Sequence, residues 1–149
     1  MNFLKFVHII HNVYFKQKHF IKRKYYSNEG EDLFLKKKLN LKKKGFYVDV
    51  GAYHPIRKSN TMILYQNGWR GINIDANQFS IDLFNFTRPY DANYNVAISD
   101  KNEKIDFYSS KDNDPQATAS KFFFKYDYIN KNRKYIKKKK IKFFNLGEK

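Results

Sequence analysis

Apolar and polar positions along this chain change period several times, and the changes mark out its elements. Residues 46–50, Phe-Tyr-Val-Asp-Val, form a brief β-prone run of the kind that fills a strand buried on both faces of a parallel sheet. The run breaks at once into the turn Gly51-Ala52-Tyr53-His54-Pro55. Residues 71–75, Gly-Ile-Asn-Ile-Asp, repeat the pattern and again end in a carboxylate. Between the two runs, residues 61–67 predict a helix, with capping oxygens on Ser59, Asn60 and Thr61 and with Gly68 placed for a left-handed cap. Residues 78–86 predict the next helix, with Ile81, Leu83, Phe84 and Phe86 as its apolar contacts, and Arg88-Pro89-Tyr90-Asp91 ends it. A third strand is expected over 93–99 and a fourth over 104–109. The tight turn at 100–103 makes those two antiparallel neighbours or a bent continuation, because a parallel crossover needs a dozen residues or more.

The flanks are less regular. Residues 1–24 mix Phe3, Leu4, Phe6, Val7, Ile9, Ile10, Val13 and Tyr14 with Lys and three of the four His, and predict a helix. That helix either packs on the domain or rests on an anionic membrane surface through its basic end. His8, His11 and His19 make no convincing metal set, since no carboxylate or thiol stands near them. Ser27 and Glu31, ahead of Asp32-Leu33-Phe34-Leu35, read as helix-start residues. Residues 36–44 read as a solvated helix end that Gly45 stops, and 111–116 as a polar loop. In and beside that loop, Asp114, Gln116 and Thr118 either face an acceptor or only solvent. Residues 122–129 suggest an aromatic helix, 137–140 a solvated lysine run and 141–146 a final strand. Aromatics interleaved with lysine can stack bases, although a core-facing helix edged with charge needs no such partner.

Composition narrows the choices. A chain of 149 residues is one domain at most, with enough length for a core. Cysteine is absent, so no disulfide and no thiolate zinc site can form, in agreement with a cytoplasmic location. No apolar run approaches the ~20 residues that cross a bilayer. The formal charge of +16 is uneven, with residues 1–44 at +9, residues 45–120 at −2 and residues 121–149 at +9. The motif-bearing middle is therefore slightly acidic. Only five of the 30 basic residues are Arg, whose planar fork favours specific phosphate and base contacts, so no specific nucleic acid is expected.

The candidate chemistry lies where the two apolar runs end. Asp49 stands near the carboxyl end of the first strand and Gly51 lets the backbone bend and approach a ligand, while ligands of such folds sit outside the carboxyl ends of strands. Asp75 follows Gly51 at roughly the ~20-residue spacing of ribose-binding acids and has two oxygens for two ribose hydroxyls. The alternative is that Asp75-Ala76-Asn77 merely starts the next helix. His54, in the turn, is either a general base for a substrate hydroxyl or a hydrogen-bonding loop residue. Trp69 packs helix on sheet or stacks a substrate.

Five blocks in order resemble the FkbM-type methyltransferases: Tyr26-Ser27-Asn28-Glu29-Gly30-Glu31-Asp32, residues 46–55, Ser59-Asn60-Thr61, residues 68–77, and Asn95-Val96-Ala97-Ile98-Ser99-Asp100. The resemblance runs from about residue 25 to residue 120. It implies an α/β fold, the N-terminal half of a Rossmann-like methyltransferase sheet with mostly parallel strands flanked by helices. A basic N-terminal helix (1–24) would precede a partial domain (25–149). It further implies S-adenosylmethionine as cofactor and a small-molecule hydroxyl acceptor, such as a sugar. Asp49, Gly51 and Ala52 would line the methionine and ribose part of the donor, Asp75 would hold the ribose hydroxyls, and Ala97 and Ser99 would lie near the adenine. Ser27 and Glu31 would stand beside the pocket. The family's later Asp-x-Glu-Gly block has no counterpart after Ser120, so a missing segment or a partner is expected to complete the sheet, or the chain is an inactive truncated remnant. Two other readings compete. A nicotinamide-dependent oxidoreductase also carries an acid after its second strand, but Tyr53 and Pro55 stand where further glycines would relieve crowding around a pyrophosphate. A basic nucleic-acid-binding module would explain the charge alone.

Overall fold

A computed structural model describes residues 2–21, 24–100, 103–109, 117, 119–120 and 137–145. The chain runs α1 (Phe3–Ile10), a π-helical turn (His11–Phe15), α2 (Lys18–Ile21), α3 (Glu31–Lys38), β1 (Phe46–Val50), α4 (Met62–Gln66), β2 (Arg70–Ile74) and α5 (Gln78–Thr87), then β3 (Ala92–Tyr94), β4 (Ala97–Ser99), β5 (Glu103–Ser109) and β6 (Lys137–Asn145). It is a mixed α/β structure in which a small parallel sheet, order β1-β2-β3, is flanked by helices.

Register decides which side chains share a face. Phe46 pairs with Arg70 and Ile72 with Ala92, so alternation puts Tyr47, Asp49, Gly71, Asn73 and Asn93 on one side of the sheet. Against that side pack Ile63 and Leu64 of α4, which join Tyr47 in a cluster edged by Leu35, Leu39, Leu41 and Trp69. A second cluster joins Ile9 and Val13 to Ile56 and to Leu83 of α5. Trp69 has the packing role expected of it, its ring lying so near Gly45 that a Cβ there would meet it at 2.6 Å. The opposite side of β1 is bare: Phe46, Val48 and Val50 are 64%, 56% and 57% exposed. Among the described strands none pairs with the outer edge of β1.

Local signals account for the short helices. Asn77 caps α5 by accepting from Phe79 N at 3.0 Å, and Gly68, at φ +84°, turns the chain out of α4. Ser59, not Thr61, caps α4, accepting from Met62 N at 3.1 Å.

Four expectations need correction. The helix beginning at Glu31 ends at Lys38 instead of running on towards Gly45, because Leu39 turns extended and Leu39 and Leu41 both reach the core. The strand expected over 93–99 is two strands in different sheets, β3 and β4, interrupted at Asn95-Val96. The second sheet has order β4-β6-β5, so β4 and β5 are separated by β6, parallel to one and antiparallel to the other, rather than adjacent. The lysine run 137–140 is the first part of β6, so that strand begins at Lys137 and not at residue 141. Asp114, Gln116, Thr118 and the aromatic segment 122–129 lie outside the described residues.

Candidate functional site

The turn after β1 folds across the carboxyl end of β2. Gly51 N and Ala52 N both donate to Ile74 O, at 2.9 and 3.1 Å, and Tyr53 N donates to Asp75 Oδ2 at 2.8 Å. Gly51 adopts φ +74° and Tyr53 φ +55°, a left-handed conformation that disfavours side chains with a Cβ. The Asp75 carboxylate holds Tyr53 there. Its other oxygen accepts from Asn77 N at 2.7 Å, and its backbone is fixed by Asp75 N to Tyr94 O at 3.1 Å and by Asn95 Nδ2 to Asp75 O at 3.0 Å. An ionised carboxylate has about four lone-pair directions; the two amides take two, and the others are shared between the Ser80 hydroxyl beside the carboxylate and the open cavity.

A cavity of about 210 Å³ lies against this carboxylate, lined by Gly51, Tyr53, Asp75, Ala76, Asn77, Ser80, Phe107 and Ala117. A Cβ at Gly51 would meet nothing within 4 Å, so the turn leaves open space beside the acid. A larger cavity of about 540 Å³ shares Ala76, Asn77 and Phe107 with it and is also lined by Asn2, Lys5, His8, Phe79 and Asp82. Burial raises the carboxyl pKa of Asp75 above its ordinary value and the charge of Asp49 adds to this, while the amides of Asn77 and Tyr53 oppose it.

Of the sequence candidates, Gly51 and Asp75 come together at this cavity. Asp49 does not line it: on the helix-bearing side, its Oδ2 accepts from Thr61 Oγ1 at 2.6 Å. Ala52 is buried behind the turn. Ala97 and Ser99 sit in β4 and line neither cavity. Ser27 and Glu31 hold the start of α3. Ser27 Oγ donates to Asp32 Oδ1 at 2.5 Å and accepts from Gly30 N at 2.9 Å, and Glu31 accepts from Glu29 N, which lowers its carboxyl pKa.

His54 is fully buried and outside both cavities. Its Nδ1 accepts from Ile56 N at 3.1 Å and Arg57 N at 3.0 Å. In a neutral imidazole so held, the proton is on Nε2, and no lone pair remains to take one from a substrate. The hydrogen-bonding alternative thus describes His54, and the geometry gives no support to a general base there.

A buried polar network on the helix side of the sheet has no signature in the residue pattern. Arg88, with no exposed surface, donates to Thr61 Oγ1 at 2.9 Å, Tyr47 OH at 3.2 Å, Ser59 Oγ at 3.0 Å and Pro55 O at 2.5 Å. Tyr47 OH donates in turn to Asp91, which also accepts from Gly71 N and Asn73 Nδ2. Hydroxyls thus relay the guanidinium to Asp49 through Thr61 and to Asp91 through Tyr47. Burial pushes the Tyr47 phenol well above its usual range, which keeps it a donor. The network fixes the two strand ends and the turn relative to each other.

Comparisons of the chain with protein families, with curated proteins and with solved structures found no match.

Proposed function

We propose that this protein is an S-adenosylmethionine-dependent methyltransferase of FkbM type, acting on a hydroxyl of a sugar or another small acceptor. The observation that carries the reading is Asp75, fixed by two amides at the carboxyl end of the central strand, half-buried, with lone pairs to spare beside a cavity that Gly51 leaves open. The parallel order β3-β2-β1 supports the finer Rossmann-like assignment, since nucleotide-type ligands bind outside the carboxyl ends of such strands. The five-block resemblance supplies the family.

These residues fit the cofactor's ribose: a vicinal diol donates two hydrogen bonds, and Asp75 can accept them. Gly51 bounds the same space without a side chain, and the adjoining cavity has room for the remainder of the ligand. Bound S-adenosylmethionine would supply an activated methyl group, and the chain's own contribution is positioning. Ser27, Glu31, Ala97 and Ser99 line neither cavity, and Asp49 acts through Thr61 to steady the turn. The cytoplasmic location belongs to the same proposal.

Calorimetric titration with S-adenosylhomocysteine tests it. Wild type should bind, and Asp75→Ala should lose about 100-fold in affinity, as expected for two hydrogen bonds to a charged group. No detectable binding by wild type would overturn the reading, and equal binding by both proteins would take Asp75 out of the site.

A further inference from the structure

The N-terminal helical segment carries apolar residues on two sides, and only one is used by the fold. Ile9 and Val13 are buried with Ile56 and Leu83, His8 stacks on Phe79 with centroids 4.6 Å apart, and Lys5 pairs with Asp82 at 2.7 Å. Tyr14 meets the Phe86 ring edge-on at 6.4 Å, and the side turned away carries Phe3, Leu4, Val7 and Phe15. Phe3 and Leu4 are both 77% exposed and Phe15 65%. Phe3 and Leu4 stand four and three residues before Val7, and exposed His11, four residues on and stacked on Phe15 at 6.3 Å, carries the same face through the π-helical turn. A chance exposed Leu needs no explanation, but a stripe of four large apolar side chains does.

The charge around it names the occupant. The first 28 residues contain six Lys and Arg and no Asp or Glu. Lys16, Lys18 and Lys24, which follow the stripe in the chain, are exposed. We propose that this face lies on an anionic lipid surface, the apolar stripe entering the headgroup boundary and the cations meeting the lipid charge. A second copy of the chain is the poorer fit, because two surfaces of net positive charge would be brought together. Among the described residues no helix is long and apolar enough to cross a membrane, so the segment lies on the surface and does not span it. Leu4 also lines the larger cavity, so docking would set that cavity at the lipid boundary.

Co-sedimentation of the full chain with vesicles provides the test. Phosphatidylcholine vesicles containing phosphatidylglycerol should pellet the protein, pure phosphatidylcholine vesicles should pellet at least tenfold less, and molar salt should weaken the anionic binding. The triple variant Phe3→Ser, Leu4→Ser, Phe15→Ser changes only exposed side chains, so its circular dichroism should match wild type while its partitioning falls at least tenfold. Failure of wild type to bind anionic vesicles would overturn the proposal, as would unchanged partitioning of the folded variant. Sedimentation equilibrium showing a dimer that the triple variant loses, with no vesicle binding, would assign the stripe to a second copy instead.

Discussion

His54 combines full burial with an imidazole whose lone pair is already taken by two amides. Burial, and then the cations of Arg57, Arg88 and Lys16, bring its pKa down to about 3. The folded value lies below the unfolded value of about 6.5, so His54 contributes stability that is present above pH 6.5 and lost as the pH falls from there towards 3. At about pH 4.5 that loss amounts to ~2–3 kcal/mol. His54→Asn keeps an oxygen acceptor for the two amides and has no charge to gain. Urea unfolding at about pH 7 and about pH 4.5 should therefore show a smaller acid-induced loss in the variant, by ~2–3 kcal/mol. The same loss in both proteins would show that His54 does not govern acid sensitivity. Arg88 presents the opposite case, a charge that stays buried because hydroxyls connect it to Asp49 and Asp91. Nothing in Arg-Pro-Tyr-Asp at the end of a helix separates such an arginine from one that faces water.

At the scale of elements, the pairing of β1 with β2 is the joint on which the site depends. Gly71 stands opposite Tyr47, and a Cβ at Gly71 would meet Tyr47 O at 2.3 Å and the Tyr47 ring at 2.4 Å. Backbone cannot yield as a flexible side-chain tip would. Gly71→Ala should thus push Tyr47 from its place over the strand, disturb its bond to Asp91 and destabilise the fold by ~1–3 kcal/mol, readable as a drop in thermal midpoint. An unchanged midpoint would mean that the two strands are looser than described. β1, α4, β2 and α5 were all legible in the sequence to within a residue or so, because each has a strong period and its own punctuation: Gly51, Ser59, Gly68 and Asn77. The failures share a cause, which is dependence on distant residues. The strand expected over 93–99 breaks where Asn95 turns to bond the Asp75 carbonyl, and a lysine run becomes strand only through pairing with β4 and β5. At the site, Asp75 and Gly51 were legible because spacing alone brings them together. The second coordination of Asp49, through Thr61, was not.

Over the whole molecule, the excess positive charge falls outside residues 45–120, which supply Asp75 and Gly51, and the exposed apolar stripe lies on one of the two flanks that carry +9 each. Binding chemistry and surface charge are thus separate properties of this chain. In the proposed function, the Asp75 carboxylate accepts the two ribose hydroxyls of a sulfonium nucleoside. A cycle of two ligands and two proteins isolates that contact. S-adenosylhomocysteine and its 2′,3′-dideoxy analogue are each titrated into wild type and into Asp75→Ala, alongside circular dichroism to establish that the variant is folded. Wild type should prefer the diol by about 100-fold, and the preference should disappear in the variant. A preference of the same size in both proteins, or none in wild type, would contradict it.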